Sequence, residues 1–488
     1  MRPSTTPRAG EPAGADRRWS PALWGLLFVL AANMLLDALE VSVALVALPA
    51  IGDDLQLAPH QLHWVVSGFA AGFGALLLFG GRLVAILGRR PVYLAALLVF
   101  AAASLVGALA DHTALLVATR FVKGFCAALT APTGLAIIAS AFPEGPARSR
   151  ALSVYSLFGA SGFSLGLLLS GALTEVSWRW TFAFPAPIAL LLFVFALRLI
   201  PRDPPDPKPP RRYDALGALS LTSATLLTVA GIAAGPAFGW GHPLTLGALL
   251  LAALLALLFV RVERTTQQPL LPRGLVGRRT LLRSALGAGA LNGSYLGLLL
   301  VSTLHLQQQA GYGPWQTGLA FLPAAAPLAL TALHSGRYVT RFGPARLITA
   351  GAAAASLGCL LYPREGTAVR YATDVLPTML LVGAAFVLAF TAFHVQATGS
   401  VPEHLRAAAG SFYQTAVQLS AALTTVLCAA LYPAGRGPAL ALVTAVALAG
   451  LAVALRGLLP GRTADPARGP VVEPPSAGRT SEPTQGRP

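Results

Sequence analysis

Long apolar stretches alternate along the chain with short connectors rich in arginine, glycine and proline. Each stretch reaches the ~17–25 residues a helix needs to cross the hydrocarbon core of a bilayer. Fourteen spans are predicted, over 22–48, 62–82, 91–110, 113–141, 150–173, 179–200, 214–235, 243–261, 281–304, 315–334, 345–362, 374–396, 408–431 and 437–458. The first run follows twenty mostly polar residues and is too long for the apolar region of a cleavable signal peptide. Lys and Arg fall unequally about this pattern: 29 of the 35 lie on the side of the N terminus, four on the other side and two inside the fourth span. An excess of cationic loops marks the cytoplasmic side, so both termini are expected there.

The connectors carry an internal repeat. GRLVAILGRR (81–90) follows the second span and GRYVTRFGPAR (336–346) follows the tenth. Gly81, Arg82, Gly88, Arg89 and Arg90 are matched by Gly336, Arg337 and Gly343, and these are the candidate gating loops. The offset is eight spans, whereas two six-helix halves alone give six, so two spans are inserted. The predicted fold is an all-α membrane bundle of 6 + 2 + 6 helices. Its parts are a cytoplasmic segment (1–21), a six-helix bundle (22–200), a proline-rich linker (201–213) and two inserted spans (214–261). A loop (262–280), a second six-helix bundle (281–458) and a tail expected to be disordered (459–488) complete it.

Composition agrees with a membrane solvent: of 488 residues 55 % are hydrophobic and 11 % charged, against ~25 % charged in soluble domains. The net charge of +16 is spread between apolar runs, which argues against a nucleic-acid face. Cys126, Cys359 and Cys428 all fall inside spans and imply no disulfide framework. No GxxxxGK[ST] phosphate loop occurs. No nucleophile–base motif and no metal-ligand spacing stands out either, so neither an enzyme nor a cofactor or metal is expected.

Against this background the first span, NMLLDALEVSVALVALPAI (33–51), raises a chemical question. Asp37 and Glu40 stand one turn apart on one helical face, and a carboxylate at bilayer depth costs at least ~2.5–3.5 kcal/mol. Asn33 extends the polar stripe. In the fourth span Arg120 and Lys123 share the same spacing. Three readings are open: a structural charge cluster, direct binding of a cationic substrate, and a proton site whose affinity changes as the cations approach or withdraw. The second half has no carboxylate at depth, so its share of a substrate site is expected from Asn292, Tyr295, Ser302 and His305 of the ninth span and from Gln414 and Gln418 of the thirteenth. Polar groups of this kind also serve as interhelical hydrogen-bond partners. His394 is a further protonatable group near a span end. Gly162, Gly166, Ser170 and Gly171 in the fifth span, and Gly289, Gly293 and Gly297 in the ninth, are expected to admit neighbouring helices closely.

These segments together resemble the major facilitator superfamily, and within it the fourteen-span drug:proton antiporters that include multidrug and antibiotic efflux permeases of actinobacterial type. LEVSVALVALPAIGDDL (39–55) is similar to the first-span motif of that branch, which places its acid at Glu40 and implies Glu40, ahead of Asp37, as the carrier of the coupling proton. The stretch 118–152 resembles the fourth-span motif, with Arg120 as its arginine; SWRWTFAFPAPIALLLF (177–193) and LHLQQQAGYGPWQTGLAFLP (304–323) match further signatures. The resemblance implies secondary active export of hydrophobic or amphipathic drugs by alternating access, driven by protons, with membrane lipid around a monomer in the cytoplasmic membrane. Three positions depart from the pattern. Ala85 and Thr340 stand where an acid is usual, and Leu167 stands where the antiporter motif has proline. The last keeps a proton-coupled importing symporter as the alternative.

Overall fold

The computed structural model describes residues 19–57, 59–202, 215–266, 269–272, 274–275, 277–366 and 369–458. Most of the N-terminal segment, most of the proline-rich linker and the tail therefore lie outside the described residues. All the regular elements described are helices. The first set is α1 (Pro21–Asp54), α2 (Pro59–Leu87), α3 (Arg89–Ala108), α4 (Thr113–Ala141), α5 (Pro146–Val176), α6 (Trp178–Ala183) and α7 (Pro185–Leu199). A hairpin of α8 (Ala215–Phe238) and α9 (Pro243–Thr265) follows. The last set is α10 (Arg279–Leu304), α11 (Pro314–Ala320), α12 (Leu322–Thr331), α13 (Ser335–Phe342), α14 (Pro344–Leu361), α15 (Leu376–Gly399), α16 (Arg406–Leu431) and α17 (Arg436–Leu458).

Thirteen helical stretches among the described residues are long and apolar enough to cross a membrane. The expected tenth span, 315–334, is the exception: it is two short helices, α11 and α12, parted at Phe321. Pro323 has no N–H to donate and its ring crowds the carbonyl one turn back, and Pro327 repeats the problem. Pro185 makes a similar break at Phe184 between α6 and α7, although those two still read as one span. Helix α1 is longer than expected at 34 residues, or ~51 Å at 1.5 Å per residue, so its ends outrun the ~30 Å hydrocarbon core. The expected gating loops are largely helical. Gly81 lies within α2 and Gly336 within α13, and the true breaks are Gly88 and Gly343. Each precedes a helix in nearly the same left-handed conformation, φ 88° and ψ 155° against φ 78° and ψ 145°, which glycine adopts without steric penalty.

Packing follows the repeat. Helix α1 lies on α5 as α10 lies on α16, α3 on α7 as α14 on α17, and the two sets meet where α2 packs on α16 and α5 on α11 and α12. The hairpin helix α8 sits against both α2 and α16, and its Thr222 hydroxyl donates to the Ala75 carbonyl (3.1 Å). The glycines of α5 and α10 lie at close helix contacts. A Cβ on Gly162 would meet the Leu35 carbonyl, and one on Gly166 would meet Ser42 Oγ and, at 2.8 Å, the Leu39 carbonyl. Gly171 instead abuts Pro314 and Trp315 of the other set, and Gly289, Gly293 and Gly297 face Ser420, Thr424 and Cys428 of α16. Gly166→Val is therefore expected to force α1 and α5 apart and to lower the melting temperature in detergent by several degrees. An unchanged melting profile would show that this approach is not required.

Two ends can be told apart. At one, which we call the basic end, Arg90 donates to the Leu197 carbonyl (2.6 Å), Arg278 to Ser400 (3.2 Å) and Arg283 to Arg456 (3.2 Å). At the other end the sets are tied directly. The Trp315 amide donates to Glu175 Oε1 (3.1 Å), and the Gln307 side chain donates to the Val46 carbonyl (2.9 Å).

Candidate functional site

The close approach of α2 and α4 builds the charged site. A Cβ on Gly72 would strike the Phe121 carbonyl and one on Gly124 the Phe69 carbonyl, so only glycine lets the two backbones meet here. That contact carries Arg120 onto α2, where its Nε donates to the Val65 carbonyl (2.8 Å). The guanidinium then reaches across to α1, donating to Glu40 Oε2 (2.5 Å) and to the Glu40 carbonyl oxygen (2.8 Å). Lys123, one turn further along α4, pairs with Glu40 Oε1 at 2.5 Å. Aromatic rings close the shell: Phe69 and Phe182 lie 5.0 and 5.8 Å from the Arg120 guanidinium, and Phe100 and Phe182 lie 5.1 and 5.5 Å from the Lys123 ammonium. A well-placed contact of this kind contributes about 2 kcal/mol when desolvated. Glu40, Arg120 and Lys123 are fully buried, at 0 % exposure.

Asp37 is held differently. Its Oδ2 accepts from the Asn33 amide (3.2 Å) and from the Thr130 hydroxyl (2.8 Å), both neutral donors. No ion pair reaches it among the described residues. It also keeps 3 % of its surface exposed, unlike the sealed trio one turn away. The expected four-charge cluster is thus a compact three-charge unit beside a separate carboxylate. All of it lies among α1 to α6, inside the first helix set.

The other sequence candidates are spread over several helix contacts. Asn33 belongs to the Asp37 site. The Asn292 amide donates to the Val417 carbonyl (3.2 Å), joining α10 to α16. The Tyr295 hydroxyl donates to the Ala324 carbonyl (3.3 Å). His305 is buried with Ser302 towards the far end, where its Nδ1 shares a hydrogen bond with the Tyr362 hydroxyl (3.0 Å). Gln418 is buried beside Gly74, Gln414 is half-buried, and His394 lies edge-on to Tyr413 with ring centres 5.5 Å apart. At the basic end Arg89, Gly336 and Arg337 are exposed, and the Arg82 side chain lies outside the described residues.

Sequence reading missed an aromatic chain that bridges the two sets. Phe163 of α5 meets Tyr295 of α10 at 5.4 Å, Tyr295 meets Phe386 of α15 at 4.3 Å, and Phe386 stacks on Phe390 at 5.6 Å. Nothing in local spacing signals it, because its rings come from three helices. Thr130 and Val65 were missed for the same reason.

A multi-pass helical membrane protein with two related helix sets and buried charge inside one of them has the architecture of a secondary transporter. Residues 30–425 match the Major Facilitator Superfamily, and the chain belongs to it. It is 36 % identical to the puromycin resistance protein pur8 of Streptomyces alboniger, over 84 % of this chain and 81 % of that one. It is 34 % identical to a lincomycin resistance protein of Streptomyces lincolnensis (77 % and 76 % covered) and 36 % identical to the cephamycin export protein CmcT of Amycolatopsis lactamdurans (72 % and 73 %). Among solved structures, a crystal structure of the peptide transporter POT superposes with a TM-score of 0.65 over 89 % of this chain and 93 % of that one, at 15 % identity, which speaks for the fold alone. The protein is accordingly a membrane transporter and not an enzyme, and a bacterial inner membrane suits it.

Proposed function

We propose that the chain exports hydrophobic or amphipathic antibiotics in exchange for protons, by alternating access. In this reading two six-helix bundles flank the α8–α9 insert, the broken α11–α12 segment completes fourteen spans, and the basic end with both termini is cytoplasmic. The protein works as a monomer in the lipid bilayer and uses no cofactor. The naming of several relatives for antibiotic resistance or export supports the direction of transport. The far-end ties at Glu175 and Gln307 are those expected of a state that faces the cytoplasm.

The observation that carries the coupling is the inequality of the two acids. Glu40 has two cations on its two oxygens, so its charge is compensated whichever way the bundles move together. Asp37 has none, and the energetic balance between its charged and neutral forms is therefore the one a conformational change can tip. The aromatic chain through Phe163, Tyr295 and Phe386 is the wall on which an apolar substrate rests, since pockets for such ligands are mostly apolar with few polar groups.

Inside-out vesicles with an acidic lumen test the reading. Ethidium, puromycin or lincomycin, each added outside, should alkalinise the lumen as protons leave in exchange. Acidification on uptake, or substrate uptake with no proton movement, would rule out antiport. Phe386→Ala is expected to raise the KM for efflux several-fold while leaving the dependence on the pH gradient intact. An unchanged KM would remove the aromatic chain from the substrate path.

A further inference from the structure

The basic end of the first helix set holds a site that the charged cluster does not use. A cleft of about 280 Å³ opens there between the start of α3, the end of α4 and the residues that follow α7. Arg89 lines it from α3 and Arg202 from just beyond α7, together with Ile137, Ser140, Ala141 and Ile200. Both arginines are exposed, and neither is paired with a carboxylate among the described residues. Glu144, three residues beyond the cleft wall, is taken by Arg148 at 3.2 Å.

Local structure makes the cleft a set of donors. Gly88 turns the chain into α3 and has no side chain with which to cap it, so the first amides of that helix keep their partial positive charge. Arg90 donates to the Leu197 carbonyl (2.6 Å), which fixes the start of α3 against α7 and leaves Arg89 on the cleft. The Ser140 hydroxyl spends its proton on the Ile137 carbonyl (3.0 Å). Two guanidinium groups and a helix start suit an anion with several acceptor oxygens, and the N–H fork of arginine matches phosphate. The surface leading inward is apolar: α3 and α7 pack on one another and expose Leu98, Leu191, Val194 and Phe195. The second helix set has a smaller cleft, about 140 Å³, between α10, α14, α15 and α17. Its lining arginine, Arg283, already donates to the Arg456 carbonyl (3.2 Å), and its Gln396 accepts from Ser284 (2.9 Å). Counting one residue from Gly88 reaches Arg89, whereas counting one from Gly343 reaches Pro344. The repeat thus gives both sets a cleft and only the first a pair of uncommitted guanidinium groups.

We propose that this cleft holds the phosphate of an anionic phospholipid from the leaflet at the basic end, with the acyl chains lying along α3 and α7. Basic pockets between transmembrane helices hold anionic headgroups by the same combination of charge and apolar contact. Arg89 and Arg202 supply the charge, the amides at the start of α3 supply further donors, and Ile137, Ala141 and Ile200 form the aliphatic wall beside the glycerol. A soluble phosphate ester presents the same anionic group, but the apolar surface leading to the cleft favours the lipid. A lipid seated there joins three helices, so its binding also stabilises the fold. The site is independent of the direction of transport and of the coupling proton, since neither Asp37, Glu40 nor the aromatic chain takes part.

The test is a titration of the full-length protein, stripped of lipid in mild detergent, with dioleoylphosphatidylglycerol. Native mass spectrometry reads the bound lipid, and the melting temperature reads its effect on the fold. One phosphatidylglycerol should be retained with a Kd about tenfold or more below that of phosphatidylcholine with the same chains. Arg89→Gln and Arg202→Gln should each weaken it about fivefold and together about 25-fold, the scale of ~1 kcal/mol for one basic residue beside an anionic lipid surface. Arg346→Gln removes an exposed arginine that lines neither cleft, and it should change the Kd by less than about twofold. The lipid-induced rise in melting temperature should shrink in step with the loss of binding. Equal retention of the two lipids, or unchanged phosphatidylglycerol binding in the double variant, would overturn the proposal. Glycerol 3-phosphate displacing the lipid at comparable concentration would assign the cleft to a soluble phosphate ester and overturn the choice of ligand. Should the double variant fail to fold, the same titration of each single variant decides, and unchanged binding in both would equally overturn the site.

Discussion

Glu40→Gln is expected to destabilise the protein more than any other single substitution in the charged site. Glutamine can still accept a hydrogen bond from Arg120, but it leaves two buried cations with no counter-charge. Arg120 retains the Val65 carbonyl and the backbone carbonyl of residue 40; Lys123 keeps, among the described residues, the rings of Phe100 and Phe182. Removing one partner of a buried ion pair typically costs ~3–5 kcal/mol, because the remaining charge is desolvated and unpaired. The expected result is a large fall in melting temperature in detergent, with loss of transport following from loss of structure. The second cation is the main source of the penalty, so Glu40→Gln with Lys123→Met should recover a substantial part of it. That recovery is a coupling energy, measurable by a double-mutant cycle because the two side chains are in contact. A mild effect of Glu40→Gln, or strict additivity in the cycle, would mean that Glu40 is not the anchor of this cluster.

The intramembrane charges were legible from the sequence because nothing else in an apolar span resembles them, and their i, i+3 spacing assigned each pair to one helix face. Which acid would meet which cation was not legible. Spacing on α1 and α4 does not fix the rotation or depth at which the two helices face one another. That register is set by α2, through Gly72 and Gly124, and its effect is to hand both cations to Glu40. The span pattern came through for the same reason as the charges: a bilayer demands long apolar helices of nearly uniform length. What it did not show is the break at 315–334, where composition is apolar enough but Pro323 and Pro327 interrupt the backbone hydrogen bonds. The two glycine breaks at 88 and 343 were within the repeat that the sequence displayed, yet the residues around them, expected as loops, continue α2 and form α13. Residues that act through contacts between helices distant in sequence, such as Thr130 on Asp37 or Phe163 on Tyr295, leave no local trace. The polar set of the ninth span shows the converse limit. Asn292 and Tyr295 have a helical spacing suited to a binding face, but both spend their polar atoms on backbone carbonyls of neighbouring helices in this conformation.

Asp37→Asn should give the opposite phenotype to Glu40→Gln: a folded protein that no longer pumps. Asparagine has nearly the shape of aspartate, and its carbonyl oxygen can take over both hydrogen bonds from Asn33 and Thr130. No ion pair is broken, so the change in melting temperature should be small. What disappears is the one carboxylate in the site whose charge is not compensated by Arg120 or Lys123. Each unit of pH difference across the membrane is worth ~1.4 kcal/mol per proton, a tenfold substrate gradient for one-for-one exchange. Everted vesicles containing the unmodified protein should therefore concentrate ethidium in proportion to the gradient, whereas Asp37→Asn should carry it only to equal concentrations on the two sides, at a rate indifferent to pH. Binding of ethidium to the purified variant should stay within about threefold of normal, a difference below 1 kcal/mol, because the acid lies inside the first helix set, away from the aromatic chain between the sets. Two results would defeat this assignment. Continued uphill transport in Asp37→Asn would return the coupling role to Glu40 or to a group elsewhere. Loss of ethidium binding along with pumping would place Asp37 in direct contact with the substrate cation, and the separation of proton and drug routes inside the protein would have to be abandoned.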